Sequence, residues 1–414
     1  MKLSVRVLFL LVFGLLTTGL FASGGEEKGG EGDHEGEYDP VTTIMGHISD
    51  ANEFHLFGHV SIPLPIILYA PGEGFTFGLS SMFDHGHTAV DGYVLNHGRV
   101  NRVADPSFPK GHVHLEGEHP VHMTTEVVEG KERDLGLLTH NGAEYHLDKP
   151  STLDGGLAGG GITSFYDFSI TKNVFTMMLA AFLLWFVWTV IIKKKYENGD
   201  GKAPSGIQSL MEPIFVFIRD EVTKPMIGEE HYERFQPFIM CLFFFILFCN
   251  LFGLIPIFPG SANVTGNIAV TLGLAVLVFI VTNLNGKKDY WQHVFWMPGV
   301  PIFVKPILAI VEILGLFIKP FSLMIRLFAN ITAGHIIILS LVGLIFVFGQ
   351  NGTNIAGAST GALVGSLFTA FMNLIELLVA FLQAFIFAIL AASYIGAAVE
   401  EHDHHDDEHA VAHH

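Results

Sequence analysis

The chain has 414 residues, of which 50% are hydrophobic and 15% charged, and its mean hydropathy is +0.46. This balance is typical of a polytopic membrane protein and excludes an ordinary soluble domain. The net charge of −18 comes largely from Glu26–Glu37 and Glu400–His414, and no basic stripe with interleaved aromatic residues occurs, so no nucleic-acid partner is predicted.

The first 40 residues have the pattern of a targeting segment followed by a linker. Lys2 and Arg6 precede the apolar run Val7–Leu20, and small residues follow, so residues 1–22 are predicted to be a signal peptide. An uncleaved first transmembrane helix is the alternative, although the apolar run is short for a membrane span. Residues 23–40 are rich in Gly and Glu, which predicts a disordered acidic linker.

Residues 41–165 are moderately hydrophobic, rich in Gly and His, and contain β-like runs such as Val60–Tyr69. We predict a small β-rich extramembrane domain, which is periplasmic because it follows a signal peptide. Its histidines suggest a metal site. The pairs His85-x-His87 and His112-x-His114 would each place both rings on one face of a strand. The histidines are His55, His59, His85, His87, His112 and His114. No pair has partner cysteines at a structural zinc spacing, so exposed or hydrogen-bonded histidines are the preferred interpretation and no metal is predicted.

The membrane domain is predicted to cover residues 166–399. Its first span is Asn173–Ile192, twenty residues without a charge, which is enough for a bilayer core of about 30 Å. Lys193–Lys195 then mark the cytoplasmic side. Ile207–Val222 repeats apolar residues with helical periodicity and has a polar side, which predicts a helix on the cytoplasmic surface.

A transmembrane hairpin is predicted next, from Pro237–Phe258 and Asn267–Leu284, and it returns to the positive pair Lys287–Lys288. Its two cysteines, Cys241 and Cys249, are eight residues apart. On one helix that spacing corresponds to about 12 Å. This is too far for a disulfide.

After a loop to about Val304, two apolar segments are longer than an upright membrane helix. They are Ile307–Phe348 and Gly361–Val399, and Gln350–Ser359 separates them. Such lengths require a strong tilt, a break or both, and Pro320 is a predicted kink. We therefore predict an all-α polytopic membrane protein with about five membrane helices, one surface helix and a β-rich N-terminal domain.

The first long segment carries an arginine within the apolar stretch Phe321–Ser340. A guanidinium keeps its charge at physiological pH. Its insertion at the bilayer centre costs about 2.5–3.5 kcal/mol on insertion scales. Asn330 lies one turn from Arg326, whereas His335 lies nine residues away. That spacing places His335 on the opposite side of the helix, roughly 13.5 Å along the axis.

Polar residues form a stripe on each long helix. Glu312, Lys319 and Arg326 are spaced by seven on the first; Asn373, Glu376 and Gln383 are spaced by three and seven on the second. In an antiparallel pair of helices, Arg326 opposite Gln383 and His335 opposite Glu376 require almost the same register. One packing arrangement can therefore bring both pairs to similar depths.

These residue types differ in what they can do with a proton. His335 and Glu376 both titrate and could relay protons, whereas Arg326 can only present a charge. A relay beside a fixed cation suits a device that deprotonates a passing carboxylic acid. The alternatives are that the His–Glu pair only joins two helices, that Glu312 and Lys319 form an interfacial ion pair, and that Arg326 is structural.

Three motifs resemble subunit a of the rotary F-type ATP synthases. They are Met324–His335 (MIRLFANITAGH), Asn250–Asn267 (NLFGLIPIFPGSANVTGN) and Leu377–Leu390 (LLVAFLQAFIFAIL). The resemblance covers about residues 165–400, in the order expected of that family. It does not explain residues 24–165.

The resemblance implies that Arg326 faces a rotating ring of c subunits, attracts each ionised ring carboxylate and blocks leakage between two offset half-channels. Gln383 and Asn330 would lie near it, His335 and Glu376 would belong to the periplasmic half-channel, and Glu312 to the cytoplasmic one. Many bacterial members have the His and the Glu exchanged between these two positions. The predicted site residues are Arg326, Glu376, Gln383, His335, Asn330, Glu312 and Asn373.

We therefore predict a non-catalytic, proton-conducting stator subunit of a bacterial inner-membrane ATP synthase. It would bind the c-ring, the peripheral stalk subunit b and the other subunits, in contact with lipid. No cofactor or nucleotide site is predicted, because the GxxxxGK[ST] pattern is absent. The acidic tail at 400–414 would be cytoplasmic. A self-contained ion transporter and a structural membrane anchor are the alternatives.

Overall fold

The structure is a computed structural model. It describes the residues 49–57, 60–96, 98–103, 105–115, 120–128, 131–151, 164–193, 196, 206–255, 258–260, 262–349 and 354–400. The predicted signal peptide (1–22), the acidic linker (23–40), His59 and all but the first residue of the predicted tail lie outside the described residues.

The C-terminal part of the chain is helical. The helices are α1 Lys172–Phe186, α2 Ile207–Phe217, α3 Lys224–Ile227, α4 Tyr232–Leu254, α5 Ile268–Leu284, α6 Lys288–Phe295, α7 Lys305–Phe348 and α8 Ile355–Val399. The π-helical turn Val187–Ile192 extends α1, and a second π-helical turn, Ile218–Thr223, joins α2 to α3. The N-caps of α1, α5 and α8 are Thr171, Asn267 and Asn354, each of which accepts a backbone N–H of the first turn through its side chain.

Four of these helices are long and apolar enough to cross a membrane: the helix at Lys172–Ile192, α4, and the long helices α7 and α8. A fifth span results if α5 and α6, which meet at a bend of 106°, are taken together. The mostly helical membrane fold with a strand-rich N-terminal region is confirmed, and the predicted number of spans agrees with this range.

Several boundaries differ from the sequence prediction. The hairpin helix begins at Tyr232, five residues earlier than predicted, because its first turn includes the charged residues Glu233 and Arg234, which lower the hydropathy there. The predicted loop before Val304 contains the helix α6, and the predicted loop at Gln350–Ser359 is already helical from Ile355. Hydropathy marks the apolar core of a helix and misses its polar end turns.

The two long helices are continuous in the structure. The helix α7 has 44 residues and α8 has 45. At about 1.5 Å per residue each is more than 60 Å long, about twice the hydrocarbon thickness of a bilayer. Of the predicted alternatives, a tilt, a break or both, the structure shows no break in α7, which runs through Pro320 as one helix. Helices of this length cross a bilayer only when they are strongly tilted.

The N-terminal part is built from antiparallel strands. They are β1 Glu53–Phe57, β2 Val60–Pro63, β3 Pro65–Ala70, β4 Gly74–Leu79, β5 Thr88–Val90, β6 Tyr93–Asn96, β7 Arg99–Val103, β8 His112–His114, β9 Val121–Val128, β10 Lys131–His140, β11 Ala143–Asp148 and β12 Tyr166–Asp167. They form a hairpin β1-β2, a seven-stranded sheet β8-β5-β6-β7-β11-β10-β9 and a three-stranded sheet β12-β3-β4.

The His-x-His expectation holds for one pair and fails for the other. His112 and His114 lie on β8 with both side chains exposed, as the alternation of a strand requires. His85 and His87 lie instead at the end of a 3-10 helix, Ser80–Gly86, where His85 has a φ of 52°. Among the described residues, no group of three or more His, Cys, Asp or Glu side chains could hold a metal ion.

The strand-rich part of the structure, from β1 to β12, is called the β-domain here, and it contacts the membrane helices directly. Phe54 of β1 is 1% exposed and belongs to the same apolar core as α1, α4 and α8. Its ring centroid lies 5.6 Å from that of Phe175 and 5.3 Å from that of Phe258. The Lys172 N–H donates to the Ala51 carbonyl oxygen at 2.8 Å. The start of the first span is thus fixed to the hairpin β1-β2.

Candidate functional site

The histidine and the glutamate of the two long helices meet, as the register predicts. His335 Nδ1 lies 3.5 Å from Glu376 Oε1, and the two side chains are 16% and 3% exposed. His335 lies beside Gly253, near the end of α4, and the chain that follows α4 carries Phe258, whose ring packs on Phe54 of β1, so the pair lies towards the end that carries the β-domain. The two groups of the pair are not hydrogen-bonded at this separation, and a proton can pass between them through one water molecule or after a small side-chain movement.

A glycine allows this close approach. A Cβ at Gly334 would lie 2.9 Å from Glu376 Oε1. The helices α7 and α8 can therefore pack with the carboxyl group directly against the backbone of α7. Both Glu376 oxygens lack a hydrogen-bond partner within the described part of the chain.

More buried polar atoms lie at the same end. The Asn52 amide, the Asn173 side-chain oxygen and the Thr176 hydroxyl are buried without a hydrogen-bond partner among the residues described. All three residues lie at the junction of the β-domain with α1. Buried polar groups of this kind are normally satisfied by water. The junction therefore has the polar surface that a hydrated path needs.

Arg326 lies on a different surface. It is exposed on α7 together with Asn330, Ala329 and Ala333. The neighbouring exposed side chains are apolar, for example Phe321, which is 60% exposed. Arg326 is thus a permanent cation on a face whose exposed side chains are mostly apolar, with Asn330 one turn away. The adjoining face of α8 is also apolar and exposed, with side chains that include Leu367, Phe371, Leu374 and Leu378.

The other predicted residues of α8 separate. Gln383 is buried, at 6% exposure, whereas Asn373 is exposed, so the two residues lie on different faces of α8. In the described structure no hydrogen bond joins Arg326 to Gln383. Three residues turn a helix by about 300°, so Asn373 and Glu376 share a stripe only loosely.

A second polar cluster lies towards the opposite end of α7. The Lys319 ammonium lies 5.7 Å from the Tyr394 ring centroid, and the charge of Arg326 also reaches Tyr394. Glu312 acts electrostatically on Tyr290 of α6. A cleft between α5, α6, α7 and α8 joins these groups, and its polar lining residues are Thr282, Asn283, Tyr290, Lys319 and Tyr394. Glu312 and Lys319 form no ion pair with each other in the part described.

A buried hydrogen-bond network positions α8 between these clusters. Asn250 of α4 donates from Nδ2 to the Ala380 carbonyl oxygen at 3.0 Å and accepts from Thr265 Oγ1 at 2.6 Å. Ala380 lies between Glu376 and Gln383 on α8. The hairpin motif of the sequence thus fixes the position of α8 along its axis relative to α4.

Sequence reasoning missed Tyr394 and Asn250 as neighbours of the site. Tyr394 could have been found, because it lies eleven residues after Gln383 and eleven residues are close to three helical turns. The contact of Asn250 with α8 joins elements far apart in sequence, and periodicity within one helix gives no signal for it.

The fold and site define a class: a polytopic α-helical membrane protein whose long tilted helix pair carries an exposed cation and, nine residues away, a buried proton-exchanging pair. A family model described as ATP synthase A chain matches residues 174–396, more than half of the chain. The chain therefore belongs to this family, the membrane-embedded subunit a of F-type ATP synthases.

Individual relatives agree. The ATP synthase subunit a of Chloroherpeton thalassium (strain ATCC 35110 / GB-78) is 44% identical over 252 residues, which cover 60% of this chain and 72% of that protein. The ATP synthase subunit a of Myxococcus xanthus (strain DK1622) is 39% identical over 272 residues, covering 64% of this chain and 81% of that protein. A second family model, a domain of unknown function (DUF8433), matches residues 43–127.

Family membership gives the chain a role in ATP synthesis and proton transport. It is a stator subunit that associates with other subunits of the F-type complex, including the c-ring. This favours the stator prediction over the self-contained transporter and the structural anchor.

Proposed function

We propose that Arg326 is the coupling cation of this stator subunit, facing the ionisable carboxylates of the c-ring. The observation that carries this proposal is the position of Arg326, exposed on a face of α7 whose other exposed side chains are mostly apolar. An unneutralised cation is costly in lipid. It is stabilised when a carboxylate on a partner surface repeatedly comes opposite to it.

Two half-channels would reach this face from opposite ends of the membrane domain. The first includes His335 and Glu376, with the buried polar junction at Asn173 and Thr176 as its approach. The second is the cleft beside Lys319 and Tyr394. Arg326 stands between them on α7, nine residues from His335 and seven from Lys319. These spacings correspond to about 13.5 and 10.5 Å along the helix, so a proton cannot pass directly and must travel on the ring.

The remaining predicted residues have supporting roles in this proposal. Asn330 would contact the ring beside Arg326, Asn373 would line the exposed edge of α8, and Glu312 would accept protons at the second cleft. Gln383 would fix α8 from its buried side. None of these roles requires a cofactor.

The orientation follows from charge. Lys193 and Lys287–Lys288 lie at the helix ends away from the β-domain, and positive residues favour the cytoplasmic side. We place the chain in a bacterial inner membrane with a signal peptide at 1–22, the domain at 41–165 in the periplasm, the membrane domain at 166–399 and the tail at 400–414 in the cytoplasm. Subunit b of the peripheral stalk is a further proposed partner.

Cysteine cross-linking in the assembled complex tests which face of α7 meets the ring. Ala329→Cys and Ala333→Cys replace small exposed residues beside Arg326 and leave the cation in place. Each is combined with a cysteine next to the ring carboxylate, in a background where Cys241 and Cys249 are alanine. We expect a disulfide with the ring at both positions, measured on non-reducing gels.

Thr332→Cys is the matched control, since Thr332 is turned away from this face and donates to the Gly266 carbonyl oxygen at 3.4 Å. It should not cross-link. A disulfide at Thr332 in preference to Ala333 would overturn the proposed orientation of α7. The absence of any cross-link at Ala329 and Ala333 in a fully assembled complex would overturn it too.

A further inference from the structure

The three-stranded sheet of the N-terminal domain has two apolar faces, and the described residues cover only one of them. Ile66, Leu68 and Ala70 of β3 point into the domain core and are at most 1% exposed. On the other face, Phe75, at 59%, and Phe77, at 68%, are among the most exposed large side chains of the described part of the domain. Exposed apolar surface of this kind marks an interaction site.

The strand pairing arranges this exposed face as three rows. Tyr166 pairs with Tyr69, and Tyr69 pairs with Phe75. The Phe168 and Ile170 N–H groups donate to the carbonyl oxygens of Ile67 and Pro65, which continues the pairing beyond β12. The rows are therefore Tyr166–Tyr69–Phe75, Phe168–Ile67–Phe77 and Ile170–Pro65–Leu79. We call these nine residues the aromatic face.

The aromatic face contains no charged residue, and its chemistry changes from row to row. The row of Ile170 is aliphatic and lies two residues before α1, where the chain enters the membrane. The middle row carries two phenylalanines. The last row carries both tyrosine hydroxyls. Polarity therefore increases with distance from the first span.

Charges begin directly beyond the tyrosine row. Glu73, in the turn between β3 and β4, lies 2.6 Å from Arg102 Nη2 and 3.1 Å from Lys110 Nζ. The hydrogen bond from Lys110 lowers the pKa of the Glu73 carboxyl group, which is thus ionised at neutral pH. The order aliphatic, aromatic, tyrosine, charged is the order met on leaving a bilayer core through its interface.

The dimensions fit a bilayer interface. Alternate residues of a strand are about 6.7 Å apart, so the three rows span roughly 13 Å. The interfacial zone of each leaflet is about 5–7.5 Å thick. With the aliphatic row at the inner edge of this zone, the phenylalanine row lies near its outer edge and the tyrosines stand just beyond it, where their hydroxyls remain hydrated.

We propose that the aromatic face is a lipid-binding surface, which rests in the headgroup region of the leaflet where α1 begins. It anchors the N-terminal domain beside the membrane, independently of the proton path. The occupant is the bilayer itself, because the face is continuous with the first span and its polarity gradient follows depth. A protein partner would not require this gradient.

Spin-label accessibility tests this in the complete complex, reconstituted into nanodiscs with cysteines 241 and 249 changed to alanine. Nitroxide labels are placed singly at Leu79→Cys, Phe77→Cys and Phe75→Cys, one in each row. Collision rates are measured with oxygen, which concentrates in lipid, and with a water-soluble nickel chelate. We expect the oxygen-to-nickel ratio to be highest at 79 and lowest at 75. At 77 it should be several-fold above that of the control Glu144→Cys, which is exposed on the seven-stranded sheet.

Each other outcome overturns the proposal in a distinct way. A ratio at 77 equal to that at 144 would show a face open to water. Exclusion of both reagents would show a protein cover, such as a second copy, another subunit or residues 1–48. A high ratio that does not change between rows would contradict the upright placement of the sheet. Because the three side chains are exposed, their substitution leaves the core intact, and Phe168→Cys is a fourth independent position.

Discussion

At the residue scale, α7 presents two incompatible kinds of charge chemistry on opposite sides. Arg326 keeps its proton at any physiological pH and lies on the exposed face. His335 can gain and lose a proton and lies against Glu376 in the interior. Their nine-residue spacing separates Arg326, which can only attract a carboxylate, from His335, which can transfer a proton. The sequence predicts this pairing because two helix stripes in an antiparallel register permit few other contacts.

An exchange of the two titratable residues tests whether their pairing is functional. His335→Glu alone places two carboxyl groups together, which disfavours the ionisation of both. Glu376→His alone places two imidazoles together, which disfavours the protonation of both. We expect each single variant to lose about tenfold or more in ATP-driven proton pumping, in the range of lost acid–base catalysis. The double variant His335→Glu with Glu376→His should recover most of it.

The comparison is made at equal amounts of assembled complex and with soluble ATPase activity unchanged. If the double variant pumps no better than the poorer single variant, the two residues do not act as a reciprocal pair. A double variant that assembles well but does not pump would indicate that the contact mainly holds the helices together.

At the element scale, the packing of α7 on α8 depends on backbone approach as well as on polar side chains. Gly334 stands where any Cβ would press on the Glu376 carboxyl group. A Cβ at Gly315, in the same helix, would meet no atom within 4 Å among the described residues. The sequence shows both glycines inside a helix and does not distinguish them, because the difference lies in what α8 places opposite each of them.

Gly334→Ala should therefore displace the Glu376 carboxyl group and slow proton pumping by roughly tenfold, since displacements of about 1 Å at a reacting group can cost on the order of 100-fold. The control Gly315→Ala removes a glycine from the same helix without a contact, and it should leave pumping unchanged while raising helix propensity slightly. Vesicle acidification rates at matched assembly check both. Equal rates in the two variants would contradict the proposed role of the close approach.

Helix ends and helix continuity mark the limit of sequence reasoning at this scale. The run of α7 through Pro320 was not predictable from local rules, since a proline in a helix interior removes a backbone hydrogen bond and favours a kink. In a membrane, neighbouring helices can satisfy the freed backbone groups. The short helix α6 was missed because its eight residues have little net apolar character.

At the scale of the whole molecule, two parts of different composition share one core. The predicted fold class, a mostly helical membrane protein with a strand-rich N-terminal region, is confirmed. The contact between them was not predicted, because Phe54 on β1 reaches Phe175 on α1 across more than a hundred residues of chain. Motifs identify the family, and only the fold shows that the N-terminal domain adjoins the end of the membrane domain where Glu376 and His335 meet.

The most direct test of the central claim is ATP-driven proton pumping into inverted membrane vesicles by complexes that carry Arg326→Ala. Ile325→Ala, at a neighbouring exposed apolar position, is the matched control. With assembly and soluble ATPase activity preserved, we predict that pumping disappears in Arg326→Ala and persists in Ile325→Ala. Pumping at the wild-type rate in Arg326→Ala would contradict the account, because the arginine would then be structural and coupling would have to reside elsewhere.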